Sequence, residues 1–238
     1  MVYVEGFIVA VPAANKEAYR KQAVEAVPYF RGLGATRLVE CWGDDVPEGT
    51  LTDFRRAVKA RPDEVVLFSW VEYPSKQIRD AANEKMKAGA KDHDMASMPF
   101  DGQRMVFGGF SVLVEEGGSG KPGYVDGTLM PVPAANKEAF RAWAAKAAAA
   151  VREHGAALVV YAWGDDVPDG KVTDFKGAVL ATGDEKVAYC WIEWPSRHVR
   201  DKGWEKLMAD PRMHPDGNEP LFDGKRMIYG GFAPIVDL

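Results

Sequence analysis

The chain has 238 residues, 47% hydrophobic and 27% charged, a composition that suits a globular protein with one large core or two small ones. Its 35 acidic residues against 30 basic ones give a formal net charge of −5, which excludes long-range attraction to nucleic acid or an anionic membrane and leaves basic partners or small neutral ligands. No apolar run is long enough to span a bilayer, and Met1 leads into a strand-like stretch rather than a secretory signal, so a cytoplasmic protein is expected.

The first predicted element is a strand, Tyr3 to Val11, stopped by Pro12. Its opening, Tyr3-Val4-Glu5-Gly6, returns as Tyr124-Val125-Asp126-Gly127, a shift of 121 residues. The same shift relates Trp42-Gly43-Asp44-Asp45-Val46-Pro47 to Trp163–Pro168 and Thr52-Asp53-Phe54 to Thr173-Asp174-Phe175. After His93 and His214 the second copy gains one residue, so that Phe100-Asp101-Gly102 matches Phe222-Asp223-Gly224. Matches in one register along both halves identify a duplication. The predicted domains are residues 1–114 and 124–238, with the polar, glycine-rich residues 115–123 as a flexible linker.

A helix follows the first strand, its apolar stripe formed by Tyr19, Ala23, Ala26, Val27 and Phe30, with Asn15 as N-cap and Gly34 past its end. Phe140, Ala144, Ala147, Ala148 and Val151 repeat that stripe. Pro28, matched by Ala149, predicts a kink or early end in the first copy. Strand two is Thr36 to Trp42, and the Asp44-Asp45 connection reads as an ordered turn, its carboxylates capping backbone N–H groups. Strand three is Val65 to Tyr73, Ser75 caps a second helix from Lys76 to about Met86, and Arg104 opens strand four, which runs to Val114. The order β-α-β-β-α-β is the ferredoxin-like split βαβ unit, an antiparallel sheet with helices on one face. Two tandem units can shelter each other's bare face as an intramolecular pseudo-dimer, and the fold class expected is α+β. Two separate beads on a string are the alternative.

The stretches Gly164-Asp165-Asp166-Val167-Pro168-Asp169-Gly170, Trp194-Pro195-Ser196-Arg197 and Phe222–Phe232 resemble the YbaA-like bacterial proteins, a domain-of-unknown-function family. The resemblance covers nearly all of both halves. It implies the dimeric α+β barrel fold and a ligand-sized space between sheet and helices; it carries no agreed activity and no catalytic residues.

Candidate site residues come from strand parity and from the repeat. Trp70 and Glu72 share one face of strand three, as do Trp191 and Glu193, and a carboxyl beside an indole in an apolar setting is a candidate acid or base. The other reading has each Glu paired with Arg or reaching solvent. His93 and His214 are proton-transfer candidates by their matching positions, against an exposed role in a polar segment. Trp42, Trp163, Arg104 and Arg226 complete the candidate ligand-binding set, with helix-to-sheet salt bridges as the other role for the arginines. Cys41 and Cys190 occupy non-equivalent positions and read as free thiols. No metal site and no cofactor are expected. The first functional reading is a small-molecule-binding barrel, in its enzymatic form a cofactor-free protein of monooxygenase or isomerase type, with pockets lined by Trp70, Glu72, Trp191 and Glu193 between sheet and helices. Replacement of Glu40 by Tyr161 and of Ser69 by Cys190 suggests that one copy has lost its function. The second reading is a non-enzymatic binding or scaffold module acting through protein contacts, and both leave room for further association of the chain.

Overall fold

The structure is a computed structural model that describes residues 2–89, 98–118, 120–213 and 220–238. The first half runs β1 (Tyr3–Pro12), α1 (Lys16–Gly32), β2 (Arg37–Asp45), α2 (Phe54–Ala57), β3 (Glu64–Tyr73), α3 (Lys76–Gly89) and β4 (Val106–Gly117). The second half repeats it as β5 (Tyr124–Pro133), α4 (Lys137–Glu153), β6 (Leu158–Asp166), α5 (Phe175–Ala178), β7 (Glu185–Trp194), α6 (Arg197–Leu207) and β8 (Ile228–Asp237). The eight strands close into one antiparallel barrel in the order β1-β3-β2-β8-β5-β7-β6-β4. Closure comes from two junctions between the halves, β2 with β8 and β4 with β6, so no edge is left unpaired. The two halves therefore share a hydrogen-bonded sheet as well as a core. Among the described residues, no helix is long and apolar enough to cross a membrane.

Alternate residues of every strand face the lumen, which is packed solid with apolar side chains from both halves. Equivalent residues meet there, as an internal two-fold requires. Trp70 lies 4.7 Å from Trp191 and Phe68 stacks on Tyr189 at 4.5 Å, centroid to centroid. A Cβ added to Gly6 would lie 2.7 Å from the Tyr189 ring and one on Gly127 would lie 2.7 Å from Phe68, so the repeated strand-one glycine makes room for a ring of the other half. One end of the lumen is closed by α2 and α5, whose Phe54 and Phe175 enter it edge-on. The Thr52 hydroxyl donates to the Ala178 carbonyl at 2.7 Å, and Thr173 does the same to Ala57. These one-turn helices are the ordered content of the long connection that the sequence marks only as an excursion.

Several local expectations are corrected. Pro28 does not end α1, which has the same 17 residues as α4; the residue is exposed and the helix continues to Gly32. Asn15 stands at the N-cap position, but its side chain donates to the Pro99 carbonyl at 2.8 Å instead of capping. Asp44-Asp45 and Asp165-Asp166 are strand residues rather than turn formers, and they bridge the halves. Tyr3 donates to Asp165 and Arg79 pairs with Asp166 at 2.6 Å, while Tyr124 donates to Asp44 at 2.8 Å and Arg200 pairs with Asp45 at 3.0 Å. β4 starts at Val106, not at Arg104, and continues through Glu115–Gly117, the first residues of the expected linker, which pair with β6.

Candidate functional site

The residues of β5, β6 and β7 that alternate with the lumen set point outward, and α4 and α6 cover them. Between the layers lies a cavity of about 760 Å³, lined on the helix side by Trp143 of α4 and Trp204 of α6. Its floor is Thr128, Met130, Tyr161, Cys190 and Ile192; Phe222, Met213 and Met227 bound it towards the last strand. Methionines and aromatic rings make the wall apolar and adaptable.

Its polar groups are few and placed. Asp126, 5% exposed, accepts from Trp194 Nε1 at 2.8 Å, Trp204 Nε1 at 2.7 Å and Arg200 Nε at 2.9 Å. Burial pushes its carboxyl up, and Arg200 with the two indoles opposes that shift. The Tyr161 hydroxyl has no hydrogen-bond partner among the described residues, and Trp143 Nε1 is likewise unpaired but sealed from solvent. Burial holds the phenol of Tyr161 and the thiol of Cys190 well above their ordinary ranges, so neither is an anion at neutral pH. Cys190 is thus a wall group and no ready nucleophile. The arrangement can receive an apolar molecule and offer a hydrogen bond from the Tyr161 hydroxyl to one of its oxygens.

Of the sequence-derived candidates among the described residues, Trp191 alone borders this cavity. The rings of Trp70 and Trp191 pack in the lumen, both at most 2% exposed; Trp70 is no part of the cavity wall, which corrects the expectation for that residue. Glu72 and Glu193 lie at the lumen's other end, accepting from Trp70 Nε1 at 3.0 Å and Trp191 Nε1 at 3.2 Å. There Arg37 binds both Glu193 oxygens at 2.7 and 3.1 Å and both Asp237 oxygens at 2.9 and 3.0 Å, with Glu72 at 3.5 Å. Burial raises both glutamates, more weakly opposed by Arg37 and the indoles. Trp42 and Trp163 lie on the outer face under α1 and α4, with the Lys16 and Lys137 ammonium groups 5.2 and 5.4 Å from their rings. Arg104 forks onto Glu64 at 2.7 and 2.6 Å, and Arg226 onto Glu185 at 2.7 Å twice, each also bonding the Asp three residues before it. His93 and His214 lie outside the described residues. Asp126, Trp143, Trp204 and Tyr161 went unselected in the sequence; the usable signal was that copies differ at 22/143, 40/161 and 83/204 while the frame around them repeats.

Comparison with known proteins agrees with this geometry. The model of a family described as "Protein of unknown function (DUF1428)" matches residues 2–102 and again 123–224. Uncharacterized protein YbaA of Escherichia coli K12 is 56% identical over 117 residues, which is 49% of this chain and 100% of that protein; the Shigella flexneri protein of the same name matches equally. Among solved structures, a monooxygenase-like protein from Fusobacterium nucleatum superposes with a TM-score of 0.54 at 9% identity, covering 99% of this chain and 93% of that one. An anthrone oxidase-like protein also gives 0.54, at 10% identity, with 100% and 92% covered. Such low identities establish a shared barrel fold and nothing finer. The chain belongs to the DUF1428 family, two copies of whose module it joins in one polypeptide.

Proposed function

We propose that this chain is a cytoplasmic bacterial protein that binds a small, flat, mainly apolar molecule, an aromatic phenol or ketone, in the cavity between the second half's sheet and helices. The observation that carries this reading is an aromatic- and methionine-walled space of about 760 Å³ in which the Tyr161 hydroxyl has no hydrogen-bond partner among the described residues. A cavity of that size suits a molecule of two or three fused rings, and burial of its apolar surface would supply most of the affinity. The enzymatic form of the reading is a cofactor-free reaction of monooxygenase or isomerase type on that molecule, with the Tyr161 hydroxyl against its oxygen. Fold neighbours described as monooxygenase-like and anthrone oxidase-like support it by analogy of fold.

The test is a thermal-shift panel of naphthols, tricyclic phenols, anthrone and quinones on the chain and two variants. Thr128→Phe fills the floor with the residue the first half carries there, Phe7. It is expected to abolish the ligand-induced rise in melting temperature. Tyr161→Phe is expected to weaken binding a few-fold to about tenfold, the worth of one hydrogen bond. A panel that never stabilises the parent chain, or stabilises Thr128→Phe equally, would overturn the proposal.

A further inference from the structure

The halves share a backbone but differ in chemistry between sheet and helices. Where the second has Phe140, Trp143, Tyr161, Cys190 and Trp204, the first has Tyr19, Gln22, Glu40, Ser69 and Asn83. In the second half these side chains belong to, or pack on, one continuous apolar layer. In the first the layer is broken into two clusters, one around Leu38, Val71 and Tyr73, the other around Tyr19, Trp42 and Leu67. Glu40 and its cross-strand neighbour Ser69 occupy the gap, between Leu38 and Trp42 on β2 and between Leu67 and Val71 on β3.

Glu40 is held but not satisfied. Tyr19 donates to its Oε2 at 2.8 Å, and Ser69 donates to the same oxygen. Among the described residues nothing donates to Oε1, and no Lys, Arg or His pairs with the carboxyl. The residue nevertheless keeps part of its surface accessible, so the free oxygen faces space rather than packed carbon. On the same sheet face Glu5, 3% exposed, takes one bond from Asn83 at 3.0 Å and leaves Oε2 buried without a partner. Asp126, which corresponds to Glu5, has both oxygens filled. A buried polar atom without a partner, as Glu5 Oε2 is, is rare enough to demand an explanation, and beside it the accessible Glu40 Oε1 has no cation to answer it among the described residues.

We propose that the first half holds a second site, opposite in chemistry to the second half's cavity, in which Glu40 is the counter-ion of a small organic ammonium ion. Aromatic rings adjoin the carboxyl. Tyr19 and Phe100 lie 5.7 Å apart beside the carboxyl, and an ammonium, Lys16 Nζ, already rests on the Trp42 ring at the margin of the same layer. The exchange of Glu40 for Tyr161 is then a division of labour between copies, and it stands on residues separate from those of the aromatic cavity.

The experiment is calorimetric titration of the full chain with ethanolamine, butylamine and benzylamine, beside ethylene glycol, butanol, benzyl alcohol and butyrate. The amines are expected to bind and the uncharged or anionic isosteres to bind at least about tenfold more weakly. Glu40→Gln keeps an oxygen for Tyr19 and Ser69 but no charge, and is expected to lose amine binding by about tenfold or more while melting at or above the parent temperature. Glu40→Tyr, copying the second half, is expected to lose it as well, and Thr128→Phe to retain it. Absence of amine binding, equal binding of the alcohols, or unchanged binding by Glu40→Gln would each overturn the proposal. Because Thr128→Phe and Glu40→Gln act on different halves, failure of this site and failure of the aromatic cavity are read separately.

Discussion

At the scale of single residues, the arginines offered by the repeat are held by their own half. Arg104 and Arg226 reach back to Glu64 and Glu185 with paired, charge-assisted bonds, and those bonds, ahead of the opposing desolvation, bring each glutamate from 4.5 to about 2. A carboxyl lowered on folding adds stability above its unfolded value, and that stability is lost as pH falls from about 4.5 towards 2. Urea unfolding across that range is expected to show a steep acid loss in the parent and a shallower one in a Glu64→Gln, Glu185→Gln double variant. An equal slope in both would locate the acid sensitivity elsewhere. The sequence showed that these arginines recur, but their partners lie about 40 residues away on a different strand, and only the tertiary register reveals them.

At the scale of elements, order and type were legible because each segment carries a local signal: strand alternation, the stripe of α1 and α4, Ser75 and Ser196 capping α3 and α6 through their side chains. Signals that tertiary contacts overrule were misread. Gly43-Asp44-Asp45 looks like a turn, yet the aspartates find Tyr124, Arg197 and Arg200 of the other half, and the strand continues through them. Pro28 looks like a helix end, but its counterpart Ala149 shows that the same packing holds a full helix there. The proline removes one helical donor and crowds the preceding turn, so Pro28→Ala is expected to raise stability by up to about 3 kcal/mol. Chemical denaturation of the two proteins measures this, and a less stable variant would mean that the ring makes a contact worth more than the bond it removes. The candidate site was less legible than the elements for a similar reason: both faces of β3 and β7 are apolar, so parity could group Trp70 with Glu72 but could not say which face was lumen and which was cavity.

At the scale of the whole molecule, closure of the barrel rests on contacts that no single module contains, and Arg37 is the most concentrated of them. Its guanidinium, with 11% of the side chain exposed, joins Glu72 of its own half to Glu193 and Asp237 of the other. The equivalent residue is Leu158, so the internal symmetry is broken here and one cation serves a cluster of carboxylates. Replacing Arg37 by Leu copies the second half's side chain but leaves Glu193, whose side chain is 0% exposed, charged and unpaired. The expected cost at neutral pH is about 3–5 kcal/mol, the penalty of orphaning a buried charge. Glu72 and Glu193 are already raised by burial, so their ionisation opposes folding: without Arg37, stability should be highest below their unfolded values and decline as pH rises through the folded ones. The loss should therefore shrink on acidification, and adding Glu193→Gln to Arg37→Leu should recover part of it at neutral pH. Urea unfolding of the parent, single and double variants decides the matter; a loss independent of pH, with no recovery on adding Glu193→Gln, would show that Arg37 acts through packing on Trp70 and not as the charge that locks one half to the other.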